Sequence, residues 1–556
     1  MSLLSIHFSH DFSFGFSPWP GEYRVFELER LTKVRYDSLD IPSFIKWGAP
    51  YSEENTRKVI KRLAKEIEKE YGPESIKLEH TIYVDQFNLD LHSDPVSPYH
   101  SIFNVIKEFF YVPEGVEFTK CNHHLMHAYS AFYQSPFDDA IVISLDGGGI
   151  TEDGISSELF KGYILSKYNN TVKELFSHFL PLCPLYDCIP YLSKDIKGKY
   201  TAPGKAMGMA GYNGPNLHIY NKIKKFFNSE TPPFEKIDHA DGTATIFEDA
   251  LYNSIISQWH DLVPGELLNF NQSATVMASM QKAFEDVFCE AIKSHVLRYK
   301  LPIVLTGGGA LNVLNNTRVK HEFDLPVFVP CNPNDTGTAI GGILFYDSPK
   351  EPVDLRFNNW DLFDRDKLED FVKERGAKKY TNTDLIKILR EGNIIGVVKG
   401  RSECGPRALG NRSIICDPSF PDMKDTLNAK VKYRQWFRPF APMVIEEESS
   451  EYFNWDNSPG PNMSFAAYVK GKYREKLQAI THADFTARIQ TVSKQDNPWY
   501  HTLLTDMKET GLPVLLNTSF NIKGKPILNT IEDALFVLDN TDLDYVIVEQ
   551  YLFEKR

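Results

Sequence analysis

Two segments of this chain repeat one design, a buried-strand run that ends in glycines: AIVISLDGGG (140–149) and PIVLTGGGALNVLNN (302–316). Each places a short apolar run before bare backbone, and the second continues into a helix, which predicts a strand, a loop and a helix in that order. Two such units in one chain predict an α/β fold. Ahead of them, SLLSIHF and FSFGFS flank Ser9, His10 and Asp11, a spacing that predicts a hairpin with a polar turn. Ile60, Leu63 and Ile67 recur at helical spacing among Lys and Glu, so a surface helix is predicted over 54–71, and a long helix near 273–298. The stretch 150–270, which holds KAMGMAGYNG, is less regular.

The 556 residues suffice for at least two cores. The segment DSPKEPVDLRFNNWD (347–361) mixes turn formers and charges without apolar periodicity and is the best linker candidate, dividing the chain into 1–350 and 351–556. Downstream, NIIGVVKG (393–400) and LPVLLNTSF (512–520) read as strands ending in polar loops, so the second unit is also expected to be mixed α/β. No repeat or low-complexity tract interrupts either half.

Composition narrows the function classes. The net charge of −13 and a pI near 5.7 argue against a broad nucleic-acid surface while leaving room for a local basic pocket. No apolar run reaches membrane-spanning length and the start lacks the basic flank of a signal peptide, so a cytoplasmic protein is expected. The seven cysteines are odd in number and lack Cys-x-x-Cys spacing, which fits reduced thiols; the glycosylation-like matches at Asn271 and Asn517 are then chance.

In HHLMHAYSAFYQ (123–134), His123 and His127 stand four apart and project from one helix face, a metal-ligand spacing that satisfied structural histidines share. The zinc-protease Glu is absent. Asp335 in NPNDTGTAIGG is either a helix cap or a third ligand; two imidazoles and a carboxylate would leave coordination positions open on iron or manganese. The loops Asp146-Gly147-Gly148-Gly149 and Gly307-Gly308-Gly309 match neither the Walker nor the dinucleotide fingerprint, yet together they could admit phosphates and an adenine. Lys205 could add charge there or lie exposed near a turn. From Lys399 to Arg438 there are nine basic residues against four acidic ones, a local inversion of sign set among Gly, Pro and aromatic residues, which favours an anion pocket over a solvated face. Polar loops around Arg488 (TARIQTV) and around Asn517 and Ser519 (LLNTSFN) are compatible with it.

In order, SHDFS (9–13), ERLTKVRYDS (29–38), HHLMHA (123–128), GKAMGMAGYNG (204–214), TGGGALN (306–312), NDTGTAIGG (334–342), CGPRALGNRS (404–413), FRPFAP (437–442), TARIQTV (486–492) and LLNTSFN (515–521) span nearly the whole chain. Together they resemble the O-carbamoyltransferase family, whose members include tobramycin, cephamycin and nodulation-factor carbamoyltransferases. The resemblance implies an N-terminal actin/Hsp70-like (ASKHA) domain, similar to the universal tRNA threonylcarbamoyl-transfer protein, followed by a YrdC-like α/β domain. It also implies that the second domain makes carbamoyl adenylate from carbamoyl phosphate and ATP with release of pyrophosphate. The first would then pass the carbamoyl group to a hydroxyl of a small-molecule acceptor, natural product or sugar-like, leaving AMP.

Carried over residue by residue, carbamoyl phosphate would meet Arg407, Lys432, Arg438, Arg488, Asn517 and Ser519, and a metal, expected as ferrous iron, would meet His123, His127 and Asp335. Asp146, Gly147, Gly148, Lys205, Gly307, Gly308, Gly309 and Asn312 are the nucleotide-binding candidates, with magnesium accompanying ATP. His10 and Asp11 are the candidate bases for the acceptor's proton, Asp11 alternatively ordering the hairpin. An acyl phosphate beside ATP brings two polyanions together, which accounts for clustered Arg and Lys. The sequence departs from the family pattern at SFGF after the His-Asp pair and at GMAGYN, both near the expected acceptor site, so acceptor identity does not carry over. Two other readings remain: a tRNA threonylcarbamoyl-transfer protein, disfavoured by the acidic total, and a non-catalytic actin-like ATP-binding module.

Overall fold

The computed structural model describes residues 2–7, 11–35, 53–85, 98–114, 116, 118–147, 159–196, 201–228, 237–238, 244–245, 267–522 and 524–556. The first sheet contains β1 (Ser2–His7), β2 (Ser13–Ser17), β3 (Arg24–Glu27), β4 (Leu78–Asp85) and β5 (Phe118–Asn122) in the order β3-β2-β1-β4-β5. Its first three strands run antiparallel, whereas β1, β4 and β5 are mutually parallel. β1 and β2 are buried throughout, as expected of strands covered on both faces.

The same topology recurs in the second sheet, formed by β6 (Asp139–Leu145), β7 (Phe160–Ser166), β8 (Thr171–His178), β11 (Ile303–Thr306) and β12 (Val327–Phe328). Its order is β12-β11-β6-β7-β8, with an antiparallel β6-β7-β8 meander and parallel β6, β11 and β12. A short two-stranded ladder, β9 (Ile237–Asp238) with β10 (Ala244–Thr245), accompanies it. Duplicated five-stranded sheets of this order are the actin-like architecture, and both ladders of parallel strands direct their carboxyl ends toward loops that carry the candidate residues.

Helices cover these sheets. Glu53–Tyr71 buries Val59, Ile60, Leu63 and Ile67 against the first sheet's core, so the predicted helix is amphipathic. The 30-residue helix Phe270–Tyr299 starts with a capping box between Asn269 and Gln272. His123–Gln134 follows β5 directly, capped by the Asn122 side chain, which accepts from the Leu125 N–H.

The remaining strands all belong to one mixed nine-stranded sheet: β13 (Lys378–Lys379), β14 (Ile395–Val398), β15 (Arg412–Cys416), β16 (Ala441–Ile445), β17 (Phe465–Tyr468), β18 (Thr486–Val492), β19 (Val514–Ser519), β20 (Tyr545–Val548) and β21 (Tyr551–Glu554). Its order is β13-β21-β20-β14-β15-β19-β16-β18-β17. The two halves of the chain thus build separate sheets, and the second half is the expected second α/β unit. The connection over 347–361 is irregular as predicted, but it is packed: Trp360 and Asn359 are buried, and the Trp360 indole donates to the Glu27 carbonyl at 2.9 Å.

One reading of local structure is corrected. TARIQTV is not a loop but the strand β18, whereas the strand read over LPVLLNTSF is found as β19 and extends through Asn517 to Ser519. Arg488 pairs across the ladder with Ala466, and Asn517 with Ala441.

Candidate functional site

Four buried residues converge at the carboxyl ends of the two actin-like sheets. One ligand atom from each of His123, His127, Asp146 and Asp335 lies within 4.8 Å of the others. The His127 Nε2 stands 2.7 Å from Asp146 Oδ2 and 3.3 Å from Asp335 Oδ1; the His123 Nε2 stands 3.4 and 3.7 Å from the same two carboxylates. The helical spacing puts both imidazoles on one face, β6 ends at Leu145 just before Asp146, and Asp335 begins the turn into helix Thr338–Asp347.

Each partner perturbs the others. Burial alone would depress the His127 pKa, but Asp146 and Asp335 outweigh it and hold the imidazole up at about 9. For Asp146, burial and the adjacent Asp335 push upward, yet the two histidines outweigh them and bring the carboxyl down to about 2. Two carboxylates and two imidazoles held together out of water are a nitrogen/oxygen donor set that fits a divalent transition metal, whose charge would offset the repulsion between Asp146 and Asp335.

Asp146 completes this cluster and His7 and Asp11 adjoin it; sequence reasoning gave Asp146 another role and missed His7. Asp146 belongs here through the parallel register of β6, although its loop suggested a nucleotide contact. His7, buried at the end of β1, places Nε2 3.4 Å from Asp335 Oδ2 and its ring 5.6 Å from that of His123; the only sequence signal was a histidine closing an apolar strand. The third is Asp11, which takes a positive φ of 64° and accepts from the Asn334 side-chain amide at 3.0 Å, one residue from Asp335. His10 and Gly148 lie outside the described residues.

Gly307, Gly308 and Gly309 lie against Leu145 and Asp146 because β6 and β11 are adjacent and parallel. Gly307 has φ 81°, and a Cβ there would fall 2.2 Å from the Leu145 carbonyl oxygen; one on Gly308 would fall 3.2 Å from Asp146 Oδ1. Close packing on Leu145 therefore demands glycine at 307, while at 308 a side chain would press on the Asp146 carboxylate. Asn312 caps helix Val313–Phe323, accepting from Asn315 N–H, and exchanges amide hydrogen bonds with Gln281. Lys205 is buried on helix Ala202–Ala210 and donates to Thr201 Oγ1 at 2.8 Å.

The second centre is a group of cations in the other half. Lys432 donates to the Ser519 carbonyl at 2.6 Å, to the Asn521 carbonyl at 2.8 Å and to the Asn521 side chain, which fastens it to the end of β19. Arg434, which sequence reasoning passed over, is fixed by Asn428 Oδ1 at 2.7 Å and the Pro439 carbonyl at 3.1 Å, and lies over the Phe440 ring at 4.4 Å. Burial lowers the pKa of Lys432, Arg434 and Arg488, and neighbouring cations lower it further: Arg434 and Arg438 act on Lys432, Arg438 and Arg488 on Arg434, Arg407 and Arg438 on Arg488. Among the described residues, no carboxylate lies within ion-pair reach of Lys432, Arg434 or Arg488. Asn517 donates to the Ala408 carbonyl at 3.1 Å and to Gln490 Oε1 at 2.7 Å, tying the residue after Arg407 to the sheet. The structure therefore brings Arg407, Lys432, Arg438, Arg488, Asn517 and Ser519 into one neighbourhood and adds Arg434.

Two motifs of different halves also meet: a Cβ on Gly208 would lie 3.3 Å from Pro439, and the Tyr212 ring stands edge-on to Trp436 at 5.2 Å. Residues 53–344 match the model of the carbamoyltransferase N-terminus and residues 386–555 that of the carbamoyltransferase C-terminus. The chain belongs to the carbamoyltransferase family. It is similar to the nodulation protein NolNO of Sinorhizobium fredii (34% identity over 80% of this chain and 65% of that protein) and to NolO of Bradyrhizobium diazoefficiens (32% over 78% and 79%). A solved structure of full-length HypF in a phosphate- and nucleotide-bound form aligns at 12% identity and TM-score 0.35, over 62% of this chain and 46% of that one. This carbamoyltransferase thus spans somewhat under two thirds of NolNO and under half of HypF. Among the described residues, no helix is long and apolar enough to cross a membrane.

Proposed function

We propose that this carbamoyltransferase is ATP-dependent and works in two steps divided between its halves, 1–350 and 351–556. In the second half, carbamoyl phosphate gives up its phosphate to water, and the carbamate oxygen attacks the α-phosphorus of ATP; a P–O bond forms, the bond to the β-phosphate breaks, and carbamoyl adenylate and pyrophosphate result. In the first half, an acceptor hydroxyl attacks the carbamoyl carbon, its proton goes to a base, and AMP leaves. The observation that carries this reading is the cation group of buried Lys432 and half-buried Arg434 and Arg488, beside Arg407 and Arg438, with no carboxylate ion-paired to its first three members among the described residues. Such charge is stable only against an anion, and planar guanidinium groups suit phosphates.

The bases we assign are Asp11 and His10. The nucleotide of the transfer step belongs beside the paired glycine loops, with magnesium at its phosphates. His123, His127, Asp146 and Asp335 would hold a divalent metal, ferrous iron in this proposal, which supplies Lewis-acid charge toward the departing phosphate. The acceptor is a small-molecule alcohol, and the reaction is placed in the cytoplasm, where ATP and carbamoyl phosphate are made.

The test needs no acceptor. Protein mixed with ATP, magnesium and carbamoyl phosphate is followed for pyrophosphate release and for carbamoyl adenylate by mass spectrometry. Release that requires carbamoyl phosphate supports the reading; its absence in folded protein that binds ATP overturns it.

A further inference from the structure

Arg407 lies on a loop that two buried carboxylates grip from opposite ends. Glu403, fully buried, turns one oxygen toward four successive backbone amides: Oε1 accepts from Leu409 at 2.9 Å, Gly410 at 3.1 Å, Asn411 at 2.9 Å and Arg412 at 3.0 Å. Charge-assisted bonds of this kind fix a backbone more firmly than neutral ones. The other grip comes from the actin-like half. Glu27, at the end of β3, accepts from the Gly405 N–H through Oε1 and from Arg30 Nε through Oε2 at 3.0 Å, while Arg30 Nη2 donates to the Gly405 carbonyl at 2.9 Å. Both polar groups of Gly405 are thus bound by one buried ion pair from the other half of the molecule.

Gly405 is also wedged against the strand of chain that leads to the first centre. Its φ is 85°, and a Cβ would fall 2.2 Å from the Cys331 carbonyl oxygen, four residues before Asp335. Arg407 is therefore positioned between an anchor in each half, and neither Glu27 nor Glu403 was among the residues singled out in the sequence.

We propose that Glu403 and Glu27 are positioning residues for Arg407, so that the actin-like half forms part of the carbamoyl-phosphate site of the second half. This rests on the assignment of carbamoyl phosphate to Arg407 made above. Neither glutamate meets substrate; each acts through the backbone that aims the guanidinium.

The test uses the full chain, with pyrophosphate release measured against both substrates and inorganic phosphate binding measured by calorimetry. E403A and E27A are expected to raise KM for carbamoyl phosphate about tenfold or more and to weaken phosphate binding in parallel, with KM for ATP within about twofold of wild type. E403Q keeps an acceptor oxygen for the four amides and is expected to return KM to within about threefold of wild type. A general loss of structure would instead move both KM values together and would not be rescued by glutamine, and that outcome overturns the proposal. So does an unchanged KM for carbamoyl phosphate in folded E27A or E403A. If the alanine variants fail to fold, E27Q decides: it preserves shape but removes the carboxylate that holds Arg30 at 3.0 Å and leaves it only Glu29 at 3.9 Å, and a KM for carbamoyl phosphate equal to wild type overturns the proposal. R407A separates the two readings, because an R407A protein that binds phosphate and turns over like wild type refutes the pocket assignment itself.

Discussion

His127 and Asp146 meet at 2.7 Å although one comes from a helix that follows β5 in the first sheet and the other from the end of β6 in the second. Their contact joins the two duplicated sheets. If the group is a metal centre, Asp146→Asn should cost affinity for ferrous iron about as Asp335→Asn does, on the order of 100-fold, while His124→Ala, whose Nδ1 is engaged by the Ser144 hydroxyl at 2.8 Å, should cost less. Metal content after dialysis against graded chelator checks this; an Asp146→Asn protein that retains iron as wild type does would remove Asp146 from the ligand set.

The position of Asp146 depends in turn on Gly307. An alanine there would adopt an unfavourable positive φ and press on the Leu145 carbonyl, so Gly307→Ala should destabilise the protein by about 2–4 kcal/mol. It should also lower metal stoichiometry, since Asp146 follows the displaced carbonyl directly. Denaturant unfolding and metal analysis on the same preparation read both effects.

The cation group predicts a trade between stability and activity. Arg488 places its Nε out of water without a hydrogen-bond partner among the described residues, and its charge faces Arg407 and Arg438. Arg488→Met should therefore leave the unliganded protein as stable as wild type or more stable by about 1 kcal/mol, while kcat/KM for carbamoyl phosphate falls by about 100-fold or more. Added phosphate should raise the Tm of wild type and not of the variant, because only the former gains binding energy in the folded state.

Lys432 makes a complementary case. Its ammonium is spent on the Ser519 and Asn521 acceptors at the end of β19, so Lys432→Met should both weaken phosphate binding and deprive those half-buried acceptors of their donor, with a stability loss of about 1–3 kcal/mol that Arg488→Met lacks. Comparing the two variants by thermal unfolding with and without phosphate distinguishes a cation that only binds from one that also holds the loop.

Local patterns proved readable where a single element decides them. The His123/His127 pair follows from helical spacing alone, and the strand-then-glycine runs gave β6 and β11 with their loops. What depends on register between distant strands was not legible. Asp146 joins the histidines only because β6 runs parallel beside β11 and ends level with the first sheet's carboxyl ends, a fact carried by no short segment. TARIQTV around Arg488 reads as a polar loop, yet its alternation of polar and apolar residues is that of a half-covered strand. Arg434 sat inside the recognised basic run, yet its anchoring by Asn428, Pro439 and Phe440 emerges only in three dimensions. Glu27 and Glu403 carried no signal in the sequence and are buried, Glu27 against Gly405 of the other half and Glu403 under the amides of its own loop.

That docking has a specific weak point. Thr317, on helix Val313–Phe323 of the first half, uses one hydroxyl to imitate a neighbouring strand: it donates to the Ala466 carbonyl at 3.1 Å and accepts from the Ala466 N–H at 2.8 Å, on the outer edge of β17. Thr317→Val is nearly the same size but can do neither, so two backbone groups in a closed seam lose their partners, at about 1–3 kcal/mol for each group left unsatisfied. Because β17 pairs with β18, and β18 carries Arg488, the loosened edge should reach the anion pocket. Hydrogen exchange at Phe465–Tyr468 should accelerate in the variant, and phosphate should restore part of the protection by holding Arg488 in place. Unchanged exchange would mean that the seam is secured elsewhere, by Asn316 donating to the Ser464 carbonyl at 3.0 Å and Asn462 to that of Val329 at 2.9 Å.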